Sequence, residues 1–135
     1  MITFDEVGAM LDEIAEGIPQ DFYRELNGGI VLLPETKRHR DGNKTGNLFI
    51  LGEYHNDRKG MGGLGRYIAV YYGSFIRLYA RLPQELQREE LRRVLIHEFT
   101  HHIESLAGER GLEIKDAVEL ENYRRRYFGD DGGHD

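Results

Sequence analysis

The segment HEFTHHIESLAG, residues 97–108, contains three of the six histidines in this 135-residue chain. His97, Glu98 and His101 match the pattern H-E-x-x-H. On a helix, two imidazoles one turn apart can bind the same zinc ion, and the intervening glutamate lies close enough to take a proton from zinc-activated water. The pattern therefore predicts a zinc site with Glu98 as general base.

The periodicity of a helix separates these side chains into two stripes. With His97 set at 0° and about 100° per residue, His101 lies at about 40° and Glu104 at about −20°. Glu98 lies at the boundary, at about 100°. His102 lies at about 140°, which predicts a buried structural histidine or one that supports a ligand. The opposite, core-facing stripe consists of Leu91, Leu95, Phe99, Ile103 and Leu106.

A third metal donor must come from outside this stripe. The chain has no cysteine, so any metal must be held by His, Asp or Glu. Glu104 is close in phase, but a rise of about 1.5 Å per residue leaves its Cα roughly 9 Å from the metal, which is too far for its carboxylate. We expect Glu104 to support a metal ligand or to line the cleft instead. Donors that follow the predicted turn at Gly108 are Glu109, Glu113, Asp116, Glu119 and Glu121, with His39 and His55 as further alternatives.

Composition restricts the possible partners. The net charge is −6, which argues against nucleic acid or an anionic membrane surface, because both require a cationic patch. The N-terminus lacks a basic segment followed by an apolar run, and no apolar stretch approaches the roughly 18 residues of a membrane span. We therefore expect a cytoplasmic protein with no nucleic-acid or membrane partner.

The elements that must position the site begin with two helices. Thr3 and Glu6 form a capping box before an N-terminal helix that Pro19 ends. Pro83 opens a long helix that carries the H-E-x-x-H residues, and Gly108 is predicted to stop it.

Three strands are predicted between these helices, at 30–34, 48–55 and 66–82. The last is rich in Tyr, Ile and Val, and Gly73 within it indicates a bulge or a bend. The glycine pattern at 60–65 precedes this strand and not a helix, which argues against a dinucleotide-binding site.

The C-terminal part predicts one more helix. Asp116 with Glu119 is typical of a helix start, and this helix ends near residue 129. The tail, 130–135, is predicted to be disordered. The order of elements indicates a single α+β domain over residues 1–129.

The segment VLIHEFTHHIESLAG, residues 94–108, resembles the small zincin-like metallopeptidase family, minimal single-domain proteins found in bacteria. A looser similarity in the N-terminal FDEV…LDEI helix and in LYARLP extends the resemblance over the chain in outline. It implies a minimal zincin-like fold: a small twisted sheet whose edge strand borders the cleft, an N-terminal helix, a long H-E-x-x-H helix and a C-terminal helix. It also implies a zinc-dependent peptidase.

The sequence departs from the usual family pattern after the second histidine. The family places a glycine and then an aspartate ligand there, but this chain has Glu104 and Ala107 at those positions. The segment ESLAGERGLEIKD resembles an insertion, and its removal aligns Asp116 with the family's aspartate. The resemblance therefore favours Asp116 as the third zinc ligand beside His97 and His101.

The predicted activity is hydrolysis of peptide bonds in a peptide or protein substrate, with Glu98 passing the proton of a zinc-activated water to the leaving amine. The exposed edge of the strand at 66–80 is expected to hold the substrate as an added strand. Two other interpretations remain. One is a zincin scaffold that binds metal and a protein partner with little hydrolysis, against which Glu98 argues, since a structural site needs no general base. The other is an α+β interaction domain without metal, which predicts no bound zinc.

Overall fold

The computed structural model describes residues 1–39, 49–57, 65–110, 121–123 and 125–126. The chain has a mixed α+β architecture, as predicted, in which a three-stranded and a two-stranded sheet come between the helices in chain order. The elements in chain order are α1 (Phe4–Glu16), a 3-10 turn (Gln20–Tyr23), β1 (Gly29–Leu33), β2 (Lys37–Arg38), β3 (Phe49–Ile50), β4 (Gly52–Asp57), β5 (Gly65–Tyr71), α2 (Tyr72–Tyr79) and α3 (Gln84–Arg110).

The start of α1 confirms the predicted capping box. The Thr3 hydroxyl accepts from the Glu6 N–H at 3.1 Å, and the Glu6 carboxylate accepts from the Thr3 N–H at 2.8 Å. The helix ends at Glu16, before Pro19, and Gly17 caps it. Its apolar residues Val7, Met10, Leu11 and Ile14 are buried in the main core.

The sheet places β5 in the centre, parallel to β1 and antiparallel to β4. The predicted exposed edge at 66–80 is therefore wrong, because both sides of β5 are paired. Of the described strands, β4 forms the sheet edge beside α3. The strand predicted at 48–55 divides at Leu51 into β3, which pairs with β2, and β4, which pairs with β5. Strand order depends on pairing between distant segments, which sequence patterns do not reveal.

The second half of the strand predicted at 66–82 is helical. Residues Tyr72–Tyr79 form α2, and Gly73 lies in its first turn instead of a bulge. A Cβ at Gly73 would lie 2.6 Å from the main-chain nitrogen of Thr36, so only glycine allows this close approach. The buried Ser74 hydroxyl accepts from the Lys37 N–H at 2.9 Å. Tertiary contacts thus override the strand preference of the aromatic and β-branched residues.

The long helix α3 buries the predicted core-facing stripe: Leu91, Leu95, Phe99, Ile103 and Leu106 are each at most 5% exposed. The helix continues through the exposed Gly108 to Arg110, so the predicted stop at Gly108 is wrong. A helical glycine costs only about 1 kcal/mol relative to alanine, too little to end a helix that Ile103 and Leu106 hold against the core.

Residues 121–123 and 125–126 are helical, in agreement with a last helix. Tyr123 is buried and its ring contacts that of Phe22 edge-on, at 6.0 Å between centroids. The predicted start of this helix at Asp116 and the predicted tail at 130–135 lie outside the described residues. No helix in the described ranges is sufficiently long and apolar to cross a membrane.

Candidate metal centre and cleft

His97 and His101 lie side by side on α3, as the one-turn spacing predicts. Their Nε2 atoms are 3.1 Å apart, and the two rings are perpendicular. A tetrahedral zinc ion with Zn–N bonds of about 2.0–2.1 Å separates two imidazole nitrogens by about 3.3 Å. The nitrogens therefore converge at nearly the spacing that one zinc ion requires.

Glu98 is 6% exposed, although it lies at the boundary of the helix face. Strand β4 covers this flank, and Gly52 allows the strand to approach. A Cβ at Gly52 would lie 2.8 Å from Cγ1 of Val94 and 3.5 Å from Cγ of Glu98. Glycine at this strand position therefore permits the backbone of β4 to pack directly against the helix beside the carboxylate.

The environment of Glu98 favours a group that can exchange a proton near neutral pH. Burial raises the pKa of the Glu98 carboxyl to about 7, and the negative charge of Glu53 contributes to the rise. A hydrogen bond from the Tyr54 main-chain N–H opposes the rise by stabilising the carboxylate. A glutamate with these properties is suited to general acid–base chemistry.

A cleft of about 670 Å³ lies between α3 and β4, and the three H-E-x-x-H residues line it. Its remaining lining residues are Ile50, Gly52, Glu53, Tyr54, Glu104 and Ser105. These described lining residues include no lysine or arginine. The three residues of the sequence motif, His97, Glu98 and His101, therefore lie on the surface of one cleft.

Glu53 lies on the β4 side of this cleft and is held by two side chains. The Lys37 ammonium and the Tyr71 hydroxyl, at 2.7 Å, both donate to its Oε1. Burial alone would raise the pKa of Glu53, but these hydrogen bonds and the charge of Lys37 outweigh it, so the pKa is lowered. Glu53 is therefore an ionised, fixed carboxylate near Glu98.

His102 is fully buried on the core side of α3, as predicted from its phase. Its Nε2 lies 2.7 Å from the Arg24 carbonyl oxygen, and its Nδ1 lies 2.9 Å from the Tyr54 hydroxyl. Burial lowers the pKa of His102, which favours the neutral ring. With both nitrogens bonded within the protein, His102 is not directed at the cleft.

Among the described residues, His97 and His101 are two side chains whose nitrogens are spaced so that one zinc ion could bind both. In the ranges that the structure describes, no third Asp, Glu or His side chain joins His97 and His101 in a metal-binding group. Glu104 is exposed and its Oε1 lies 3.8 Å from Nδ1 of His101, so it lines the cleft as predicted. The favoured third ligand, Asp116, lies outside the described residues and stays a prediction.

The alternative third donors are placed as follows. Glu113 and Glu119 lie outside the described residues, and Glu109 belongs to the last turn of α3. Glu121 is half exposed and accepts from Arg125 at 3.3 Å. His55 stacks on the Tyr67 ring at 4.6 Å between centroids and lies 3.4 Å from Glu53, while His39 is exposed.

Sequence reasoning did not identify Gly52, Glu53 or Tyr54 as part of the site. One signal was present, since a glycine inside a predicted strand often marks close approach of another backbone or ligand. Nothing in the sequence pattern indicated that Tyr54 donates its N–H to Glu98, because that contact joins residues more than forty positions apart.

Comparison with solved structures finds similarity over most of the chain. The chain is similar to a conserved hypothetical protein from Thermus thermophilus, with 33% sequence identity and a TM-score of 0.66. The match covers 79% of this chain and 99% of that chain. No protein-family model matches the chain, and no curated protein matches it.

Proposed function

We propose that this chain, which belongs to the same family as the Thermus thermophilus protein, is a zinc-dependent metallopeptidase with a minimal zincin-like fold. The observation that carries the proposal is the convergence of the His97 and His101 Nε2 atoms, 3.1 Å apart, in the cleft that Glu98 also lines. The resemblance of residues 94–108 to zincin-like peptidases supports the same activity.

The proposed zinc ligands are His97, His101 and a carboxylate from beyond α3, for which Asp116 is preferred. Two neutral imidazoles and one carboxylate form a donor set typical of catalytic zinc. When bound, zinc supplies Lewis acidity, which makes water a better nucleophile near neutral pH and polarises a carbonyl group.

Glu98 acts as the general base in this proposal. Its carboxylate takes a proton from the attacking water and then delivers it to the amine that leaves. Its burial beside the two histidines in the cleft places the carboxyl group where it can take and deliver that proton. The Tyr54 N–H holds the carboxylate while it is ionised.

The proposed substrate is an extended peptide or a segment of a protein chain. Strand β4 takes the role that was expected for the edge of the strand at 66–80, since β4 borders the cleft beside Glu98. Main-chain groups of an edge strand can pair with an added strand, and in β4 this excludes the Tyr54 N–H, which donates to Glu98. Cleft residues Glu53 and Glu104 would then lie beside the bound peptide.

The cellular setting that we propose is the cytoplasm. The chain is acidic and has no cysteine, so its fold does not depend on an oxidising compartment. Neither nucleic acid nor a membrane is part of the proposal, because a net charge of −6 disfavours both partners.

Metal analysis tests the first part of the proposal. Purified protein equilibrated with zinc should hold close to one zinc ion per chain by elemental analysis, and His97→Ala should lose most of it. A wild-type protein that holds no zinc after this treatment would contradict the proposal.

The Glu98→Gln variant tests the chemistry. It should retain zinc and a melting temperature near that of the wild type, while cleavage of a substrate found in a broad peptide library falls by about 100-fold or more. Glu89→Gln is the control, because Glu89 is exposed on the same helix outside the cleft. It removes the same charge and should cleave at the wild-type rate.

Two outcomes would favour another function. Equal cleavage by Glu98→Gln and wild type would assign the activity to different chemistry or to a contaminant. A zinc-loaded wild type that cleaves no library peptide but binds a protein partner tightly would identify a scaffold.

A further inference from the structure

We propose that Tyr54 and His102 form a tether that positions Glu98 from behind the cleft. The tether joins the edge strand β4 to the buried side of α3, and Tyr54 connects it to the Glu98 carboxylate through its own main-chain N–H. The inference rests on the proposed function for its catalytic consequence, although the tether itself is a property of the fold.

The hydrogen-bond directions in the tether follow from the partners of His102. The Arg24 carbonyl oxygen, 2.7 Å from Nε2, can only accept, so Nε2 carries the hydrogen of the neutral ring. Nδ1 is then the acceptor, and the Tyr54 hydroxyl donates to it at 2.9 Å. Both bonds are shielded from water, since His102 is fully buried. His102 thereby joins three segments: α3, β4 and the bend that follows the 3-10 turn.

Tyr54 extends this anchor to the catalytic group. Its ring lies against His102, with 5.3 Å between ring centroids, and its main-chain N–H donates to the Glu98 carboxylate. Tyr54 thus makes one contact with its side chain and the other with its main chain, so its bond to His102 helps to hold the part of β4 that presents the N–H. His102 and Glu98 lie four positions apart on α3, so the helix and Tyr54 close a small ring of contacts around the carboxylate.

Beside its pairing with β5, strand β4 is held against α3 by side-chain contacts. Main-chain groups alternate in direction along an antiparallel strand. The Leu51 carbonyl oxygen accepts from the Tyr71 N–H at 2.9 Å, so the main-chain groups of Leu51 face β5 and those of Tyr54, three positions on, are directed away from it. On that side β4 packs against α3. Asn56 donates to the Ser105 hydroxyl at 3.0 Å in an exposed position, and Gly52 packs near Val94. The Tyr54–His102 bond is less exposed to solvent, because His102 is fully buried, and it therefore resists competition from water better than the Asn56–Ser105 bond.

The tether predicts a specific defect when it is broken. Tyr54→Phe retains the ring, the backbone and the N–H, but removes the hydroxyl that donates to His102. The Tyr54 N–H should then be less firmly placed, so the Glu98 carboxylate that it holds should occupy a broader range of positions. Catalysis is sensitive to small displacements of reacting groups, so we expect kcat to fall about tenfold with KM unchanged, because the hydroxyl is bonded behind the cleft and does not contact substrate.

Tyr23→Phe is the matched control. The Tyr23 hydroxyl also donates to a protein acceptor, the Ala15 carbonyl oxygen at 2.7 Å, and its ring packs on Phe99 of α3. This variant removes the same atom and one comparable hydrogen bond from the same core, but it leaves β4 untouched. A purely structural role of Tyr54 would give both variants similar losses of melting temperature and the same kcat.

Amide hydrogen exchange measured by NMR on zinc-free protein provides a test independent of activity. Exchange at the amide of residue 54 should be about tenfold faster in Tyr54→Phe, the factor that corresponds to loss of one hydrogen bond. Tyr23→Phe should leave it within about twofold of the wild type. Equal exchange in wild type and Tyr54→Phe would overturn the tether whether or not the protein cleaves peptides.

Two substitutions of His102 separate the two halves of the tether. Asn places its amide oxygen near the position of Nδ1 and can still accept from Tyr54, whereas Gln reaches the position of Nε2 and can still donate to Arg24. Per zinc-loaded molecule, His102→Asn should retain more of the wild-type kcat than His102→Gln, which should lose about as much as Tyr54→Phe. Retention of kcat by the Gln variant with its loss in the Asn variant would overturn the proposal.

The exchange and activity measurements distinguish two kinds of failure. If the wild type binds no zinc and cleaves nothing, the proposed function fails, and faster exchange at residue 54 would still support the tether. If the wild type cleaves peptides but Tyr54→Phe matches Tyr23→Phe in both exchange and kcat, the tether fails and the proposed function stands.

Discussion

His101 and His102 are neighbours in the chain but lie in opposite environments. The His101 side chain is 47% exposed in the cleft, and its closest nitrogen partner is the Nε2 of His97. His102 is fully buried, and both of its ring nitrogens are bonded to the protein. Advancing about 100° around the helix is enough to move an imidazole from a solvent-facing site to the core.

The difference teaches that residue type alone does not assign a role in this motif. The cleft side of α3 leaves imidazole nitrogens accessible, at a spacing that suits a metal. The core side uses the same group as a donor and acceptor that joins three segments. Substitutions on the two sides should therefore affect different measurable properties.

The largest contrast is expected between His101→Ala and His102→Ala. His101→Ala should weaken zinc binding by about 100-fold or more, while the free energy of unfolding of the metal-free protein changes by less than about 0.5 kcal/mol. His102→Ala leaves a cavity and two buried groups without their partner, so it should lower that free energy by about 2–4 kcal/mol. Zinc titration and urea unfolding measure the two quantities. Loss of zinc affinity in a folded His102→Ala protein would contradict the assignment of metal binding to His101 and of a structural role to His102.

The second contrast concerns the approach of β4 to the helix. Gly52→Ala introduces a Cβ 2.8 Å from Val94 Cγ1 and 3.2 Å from the Ala69 carbonyl oxygen, so it should destabilise the fold by about 1–3 kcal/mol. Gly108→Ala is the control. No described atom lies within 4 Å of its added Cβ, and alanine should stabilise this helical position by up to about 1 kcal/mol. Thermal unfolding of both variants provides the measurement, and equal shifts would contradict the close packing of β4.

The third prediction concerns Asp116, the preferred third zinc ligand. Asp116→Asn should weaken zinc binding by about tenfold or more, because a charged oxygen donor becomes neutral. If Asp116 only caps a helix, zinc affinity should be unchanged, since Asn caps about as well as Asp. An unchanged dissociation constant from competitive zinc titration would direct attention to Glu109, Glu113, Glu119 or Glu121.

The smallest effect should come from the pH dependence of the Glu53 interactions. The pKa of Glu53 is lowered in the folded protein, so its contribution to stability is present above the unfolded pKa, near 4.5. It is lost as the pH falls through the folded pKa. Relative to Glu53→Gln, the wild type should lose about 0.2–1 kcal/mol of stability between pH 7 and pH 3. A wild-type advantage that grows on acidification would contradict this assignment.

The parts of the fold that depend on local patterns were predictable. The capping box at Thr3, the buried stripe along α3 and the opposite phases of His101 and His102 all follow from helix periodicity. The course of α2 was not predictable, because Tyr72–Tyr79 has strand-like composition and its helix depends on contacts of Gly73 and Ser74 with residues 35–37.

The candidate site likewise has a part that local sequence patterns predict and a part that depends on tertiary contacts. One helix carries His97, Glu98 and His101, so their spacing alone indicated that they face one region. Tyr54 and Glu53 reach that region only because β4 pairs with β5 and packs on α3. Strand order is a long-range property, which explains why the edge was expected in the strand at 66–80 and not in β4.

The strand order also has a consequence for the sequence of folding events. Paired residues Asp57 and Gly65 of β4 and β5 are roughly eight positions apart, whereas Gly29 of β1 and its partner Tyr67 are nearly forty apart. Closing the longer loop costs about 1.4 kcal/mol more in chain entropy. We expect β4 and β5 to pair before β1 joins, so the wall of the cleft forms early, from local contacts. Ile30→Val in β1 should then chiefly speed unfolding, and Ile68→Val in β5 should slow folding.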